Sequence, residues 1–201
     1  MDRKAERNAT KRKIVSAAWK LFYERGYDYT TVDDIVSESK TSRGSFYHYF
    51  EGKDALLGSL SLLFDEKYEE LMKEMDPAMG CLEKLLHLNY ELFAMIEDSV
   101  PLELLAQLYS TQLVTKGEKH LLDRGRTYYR LLRTIVIEGQ ERGELRTDLT
   151  VNEITKLYAL SERALLYDWC LCDGAYSLKA YTKQVMPMFL GQITRNENEK
   201  V

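Results

Sequence analysis

The 201-residue sequence predicts an all-α protein of about nine helices. Three observations carry that expectation. Apolar residues recur at i, i+3 and i+4 along nearly the whole chain, the spacing of one buried helix face. Only three prolines interrupt the pattern, and Gly26, Gly143 and Gly174 fall where periodic stretches end. Between Thr30 and Lys53, two short helical patterns, Val32 to Glu38 and Arg43 to Phe50, are joined by the polar connector Ser39-Lys40-Thr41, the outline of a helix-turn-helix.

Taken in order, Met1 to Ala9 is charged and lacks apolar spacing, so it reads as a mobile arm or the frayed start of the first helix. From Thr10, the residues Ile14, Ala17, Ala18, Leu21 and Phe22 form a helix face that ends at Gly26. Thr30 with Asp33 makes a capping-box-like start for the next helix, and Ser42 offers a side-chain oxygen to the one beginning at Arg43. After a break at Glu51-Gly52, Leu56, Leu57, Leu60, Leu63, Phe64 and Leu71 give one long pattern from Lys53-Asp54 to about Met75. A helix of that length transmits tilt between the parts it joins. Asp76-Pro77 stops it. Further helices are expected at about Ala78 to Glu97, from Ser99-Val100-Pro101 to about Leu113, and from about His120 to Arg142, with Thr115 to Glu118 as a loop. Thr150 with Glu153 opens a helix closed by Asp173-Gly174, and Ser177 caps a last one that reaches Ile193.

The charge is distributed unevenly. The chain totals −4, yet up to Lys53 eleven basic residues face eight acidic ones, a balance of +3 that leaves −7 on the remainder. A basic head on an acidic body suits local attraction to phosphate with repulsion elsewhere. Lys11 to Lys13 read equally well as a solvated helix start. The helix beginning at Arg43 is too polar at its start to be buried, and it presents Arg43, the bare backbone of Gly44 and the small hydroxyl of Ser45. An arginine there suits a forked pair of hydrogen bonds to guanine, while Tyr47, His48, Tyr49 and Lys53 suit phosphate oxygens.

The spaced set Ile14, Ala17-Ala18, Leu21-Phe22, Gly26-Tyr27, Thr30-Thr31-Val32, Ile35, Ser42 to Phe50, Lys53 and Leu56 resembles the DNA-binding domain of the TetR family of transcriptional regulators. The resemblance covers roughly the first third of the chain. Carried over by position, it implies DNA contacts by Thr31, Arg43, Gly44, Ser45, Tyr47, Tyr49 and Lys53, to which the cap Ser42 and His48 are added from the helix itself. Two positions depart from the family pattern: Ser39-Lys40 stands where a small residue or glycine is usual in the turn, and Ser45-Phe46 where threonine and leucine are common. The resemblance further implies a three-helix DNA-binding domain, placed at 10–70 with its motif at about 31–50, and a larger ligand-binding and dimerisation domain at 71–201. The two domains together imply a homodimeric regulator, most simply a repressor, that a small molecule releases from a palindromic double-stranded operator; a charged start and no apolar run of membrane length lead to the expectation that it is cytoplasmic. A protein-binding module on the same fold is the alternative.

The last two helices are apolar on more than one face, which suggests self-complementary pairing with a second copy through Leu165, Trp169, Cys172, Tyr181, Val185, Met188 and Phe189. Completion of a monomeric core stays open on spacing alone. Candidate polar groups for a hydrophobic or aromatic effector are His87, Tyr90, Tyr109, Gln112, Tyr128, Arg163 and Trp169, each also readable as an ordinary core or surface residue. Catalysis has no support: His48, His87 and His120 share no metal-ligand spacing, and no phosphate loop or nucleophile turn occurs. Cys81, Cys170 and Cys172 read as reduced thiols, and Glu69-Glu70 as a solvated face. No cofactor, metal, signal peptide or membrane span is expected.

Overall fold

The computed structural model describes residues 3–114 and 119–195, with side chains from residue 9 onward. The loop expected at Thr115 to Glu118 lies outside the described residues, as do the first two residues of the expected arm. Among the described residues there are nine α-helices longer than one turn, a one-turn α-helix and two 3-10 turns, with one isolated antiparallel bridge and no strand. They form two compact units, Met1–Leu62 with Glu103–Leu121, and Leu63–Leu102 with Leu122–Val201.

In the first unit, α1 (Arg3–Arg25) already includes most of the expected arm and packs on α2 (Val32–Ser39) and α3 (Arg43–Tyr49). Ile14, Ala18, Leu21 and Phe22 are buried together with Ile35 and Phe46, so an apolar stripe closes the three-helix core. Gly26, at φ +85°, ends α1 in the left-handed conformation that a side chain would strain. The capping box of α2 falls one residue later than expected. Thr30 is buried and its hydroxyl donates to the Gly26 carbonyl at 2.8 Å, which leaves Thr31 to accept from the Asp34 amide at 3.2 Å while the Asp34 carboxylate accepts from the Thr31 amide at 2.9 Å. Lys40 ends α2 in the left-handed region at φ 52°, the turn position where glycine is the easier residue.

The long helix expected from Lys53 is divided into α4 (Asp54–Leu57), a single turn, and α5 (Leu60–Glu74). Serine hydroxyls compete for the carbonyls at the break: Ser59 Oγ donates to the Leu56 carbonyl and Ser61 Oγ to the Gly58 carbonyl, both at 2.5 Å. The backbone there closes to the third residue back, and Trp19 Nε1 of α1 fixes Ser59 Oγ at 2.6 Å.

The remaining helices are α6 (Cys81–Ser99), α7 (Leu102–Val114), α8 (Thr127–Glu141), α9 (Val151–Leu171) and α10 (Leu178–Leu190). The helix expected from His120 starts at Thr127 instead. Only a 3-10 turn forms at His120–Leu122, because the Asp123 carboxylate accepts the Gly125 amide at 2.8 Å and closes a turn that continues helix hydrogen bonding no further. In the second unit α6, α8, α9 and α10 pack on one another. Gly139 of α8 lets Leu145 and Cys81 approach so closely that a Cβ there would meet Leu145 Cδ1 at 2.6 Å. The Lys84 ammonium, almost buried, donates to both Glu138 oxygens at 2.8 and 2.9 Å, and Arg126 grips Asp65 through two bonds of 3.1 and 2.7 Å.

At the centre of this unit Glu162 is buried and accepts from Tyr68 Oη at 2.8 Å, Tyr128 Oη at 2.6 Å and Asn89 Nδ2 at 3.0 Å, joining α5, α6, α8 and α9 at one carboxylate. Asn89 passes the network on to Thr182 of α10. Both ends of α10 are tied down. The Glu97 carboxylate accepts from Ser177 Oγ at 3.0 Å and from the Lys179 amide at 2.8 Å at its start. Past its far end the Leu145–Thr194 bridge is flanked by bonds of 3.0 Å from the Arg146 amide to the Ile193 carbonyl and from the Arg195 amide to the Glu144 carbonyl.

Candidate nucleic-acid interface and effector cavities

The start of α3 is built to be exposed and thin. Ser42 caps it, accepting the Ser45 amide at 3.0 Å, and Phe46 is fully buried beneath it with Phe50, so the aromatic side holds the helix down and its first turn stays outward. Arg43, Gly44, Tyr47 and His48 are exposed, while Ser45 and Tyr49 are half-buried. His48 and Tyr49 meet edge to face with ring centroids 4.8 Å apart. The Arg43 guanidinium is 65% exposed and its Nε lies 3.1 Å from Asp33 Oδ1 of α2. Thr31 is exposed at the start of α2, where its hydroxyl and amide hold the Asp34 carboxyl below the usual carboxylate range. Lys53 differs from the rest. Its ammonium donates to the carbonyls of Tyr27 at 2.9 Å and Thr30 at 3.2 Å and lies 4.2 Å over the Tyr27 ring, so it clamps the connection between α1 and α2.

Gly44 is not required by the packing of the protein itself. A Cβ at this position would meet only Ser42 Oγ, at 3.9 Å. Gly44→Ala is therefore expected to leave the melting temperature unchanged or raise it slightly, by at most about 1 kcal/mol of helix propensity, while lowering DNA affinity severalfold. Thermal melts beside gel-shift titrations check this, and unaltered affinity would place the α3 backbone away from the duplex.

Within the second unit, the candidate effector groups are spread over more than one place. His87 and Tyr90 line a cleft of about 440 Å³ between α6 and α10, where Lys183 Nζ lies 4.0 Å over the Tyr90 ring. Tyr128 belongs to the Glu162 network, and Arg163 donates to Tyr129 Oη at 3.2 Å beside a second cavity between α8 and α9. Trp169 is buried with Nε1 donating to the Tyr176 carbonyl at 2.9 Å. Tyr109 and Gln112 stand on α7, and Gln112 Oε1 accepts the Leu121 amide at 3.3 Å. Of the residues expected to pair subunits, Leu165 and Trp169 are buried within the protomer, Val185 is half-buried, and Cys172, Tyr181, Met188 and Phe189 are exposed. Sequence reading missed Tyr68, Asn89 and Glu162, whose partners lie 73 and 94 residues apart with no local signal. It also missed Arg124, Arg133 and Lys156, although Lys156 and Arg163 stand two helical turns apart on one face of α9.

A capped helix seated on an aromatic core, with an arginine, a bare glycine and hydroxyls at its outward start, defines the class: a helix-turn-helix DNA-binding transcriptional regulator. Residues 14–60 match the description of bacterial regulatory proteins of the tetR family, and residues 62–192 match the C-terminal region of YsiA-like proteins. The chain belongs to the TetR family. Among its relatives, the fatty acid metabolism regulator protein of Bacillus subtilis (strain 168) is 26% identical over 184 residues, spanning 90% of this chain and 93% of the relative. The fold is shared with Thermus thermophilus FadR, a repressor solved in complex with lauroyl-CoA (TM-score 0.77, 23% identity, 94% of this chain and 98% of that one). It is also shared with Bacillus subtilis FadR, solved with stearoyl-CoA (TM-score 0.70, 21% identity, 91% and 99%).

Proposed function

We propose that the protein is a homodimeric repressor that holds a palindromic operator through the α3 helices of two subunits and is released by a hydrophobic effector of the fatty acyl thioester class. DNA reading is assigned to residues 10–70, and effector binding and pairing to 71–201. The exposed first turn of α3 carries the reading, since its arginine and its uncrowded glycine are held outward by packing that needs neither. Two such helices at successive major grooves lie about 34–36 Å apart, or a multiple of that. The effector class is suggested by the acyl-CoA ligands of the two FadR structures. An effector that prefers a form with the wrong separation weakens DNA binding, and DNA weakens its binding by the same factor.

Pairing is supported by apolar stripes that the protomer leaves uncovered. On α9, Leu160, Tyr167 and Leu171 are 53%, 44% and 65% exposed, with Ala164 between them at helical spacing. On α10, which packs against α9, Met188 is 74% exposed beside Phe189 and Tyr181. Such a surface suits a four-helix contact about a twofold axis. Leu160→Asp combined with Met188→Asp is expected to give a folded monomer in sedimentation and to weaken operator binding about a hundredfold by loss of the linked second site. A double variant that stayed dimeric would move the interface elsewhere. The function as a whole is tested by selecting duplexes bound by the purified protein from random DNA, then titrating long-chain acyl-CoA into the complex. Failure to enrich any palindrome would overturn the repressor reading and favour a protein-binding module; retention of DNA at saturating acyl-CoA would overturn the effector class.

A further inference from the structure

The cavity between α8 and α9 has a charged lining of one sign. Its volume is about 200 Å³, and Arg124, Arg133, Lys156 and Arg163 border it together with Tyr129 and Thr155, with no Asp or Glu among its lining residues. Among the described residues, no carboxylate lies within ion-pair distance of any of these four cations. The hydrogen bonds they make are to neutral groups: Arg163 to Tyr129 Oη at 3.2 Å, and Arg133 to the Arg124 carbonyl at 3.3 Å. Several other cations of this unit are matched with acids, as Arg126 is with Asp65, Lys84 with Glu138, Arg146 with Asp148 and Lys179 with Asp98.

Composition does not account for the cluster. The chain beyond Lys53 carries a net −7, so acids are plentiful, yet none has been placed against these four. Like charges gathered at a concave, partly desolvated site repel one another unless an anion joins them, and the fixed fork of arginine suits phosphate oxygens in particular. The concavity disfavours a duplex, whose backbone is read by an extended or convex surface. Its volume also lies below the roughly 300–1,000 Å³ of a pocket that takes a whole drug-sized ligand. The site therefore has room for the charged end of a larger molecule.

We propose that this cavity is the subsite for the phosphorylated end of the effector, with Arg133 and Arg163 gripping phosphate oxygens from α8 and α9 and Lys156 and Arg124 closing the charge around them. The proposal rests on the acyl thioester reading for the identity of the ligand, whereas the chemistry of the site requires only an organic or inorganic polyphosphate. Neutral substitutions at Arg133 and Lys156 remove charge without opening the core, since neither residue is buried.

The test uses the full chain and the double variant Arg133→Gln, Lys156→Gln, with equal melting temperatures as the control for folding. Calorimetric titrations are made with a long-chain acyl-CoA, the matching acyl-pantetheine, which has the thioester arm without phosphates, free coenzyme A and inorganic pyrophosphate. Acyl-CoA affinity is expected to fall about tenfold to a hundredfold in the variant, with acyl-pantetheine affinity unchanged. Equal acyl-CoA affinity in the two proteins, with DNA released from both, would overturn the subsite and leave the effector class standing. Binding of coenzyme A or pyrophosphate to the wild type but not to the variant, with no response to the acyl chain, would uphold the subsite and remove the acyl reading. If no phosphorylated compound binds the wild type, the subsite is wrong.

Discussion

Arg43→Ala is expected to lower affinity for a selected operator about tenfold to a hundredfold at fixed salt and to relax the preference at one base pair of each half-site. Affinity for arbitrary duplex should fall far less, because a residue that reads base edges contributes to the difference between sequences, and phosphate contacts supply most of the common term. The side chain projects from the first residue of α3 and is mostly exposed, so its removal disturbs no packing. Its present partner, Asp33, is itself 67% exposed, and an ion pair in water between two such groups is weak enough to be exchanged for guanine. Competition titrations with selected and scrambled duplexes over a salt series measure both quantities. An unchanged ratio between the two would remove Arg43 from base reading.

The second large effect is on stability. Glu162→Ala leaves Tyr68 Oη, Tyr128 Oη and Asn89 Nδ2 without their common acceptor inside the second unit, and the expected loss is about 3 kcal/mol or more. Chemical denaturation measures it, and a loss under about 1 kcal/mol would mean that water or a rearranged network replaces the carboxylate. Glu162 is also expected to give the protein a pH dependence whose sign follows from its burial. Burial pushes its carboxyl above the usual carboxylate range, against the opposing pull of the Tyr128, Asn89 and Tyr68 donors. A carboxyl raised in the folded state binds its proton more tightly there than in the unfolded chain. Its contribution to stability is therefore complete below the unfolded value near 4.3 and is lost as pH rises through the folded one. Glu162→Gln should remove that downward slope from a plot of unfolding free energy against pH. A slope unchanged in the Gln variant would assign the titration to another group.

Local chemistry explains which parts of this structure were legible in the sequence. Apolar spacing located α1, α2, α3, α9 and α10, and the Thr150–Glu153 capping box and the Ser42 cap stand where the side chains predict them. Errors arose where two local signals compete. Two adjacent threonines both suit a cap, and only the Gly26 carbonyl, reached by Thr30 across the turn, decides in favour of Thr31. Ser59 and Ser61 sit in an unbroken apolar pattern but spend their hydroxyls on the carbonyls that would have continued it. The outward first turn of α3, proposed to read DNA, is a local property of one short helix, and its cap and its exposure follow from neighbouring residues. The cation-lined cavity and the Glu162 network join residues from different helices, and their positions arise from packing that no spacing rule encodes.

The double anchoring of α10 bears on how a signal would leave this unit. Its first turn is pinned through Glu97 and its far end by the Leu145–Thr194 bridge, while Thr182 bonds to Asn89 in between. A helix held at both ends and once between them resists bending over the span from Ser177 to Thr182. Strain raised by a molecule bound beside α10 would therefore pass to what holds the helix, α6 through Glu97 and Asn89 and the Glu144–Arg146 segment, before the helix itself bends.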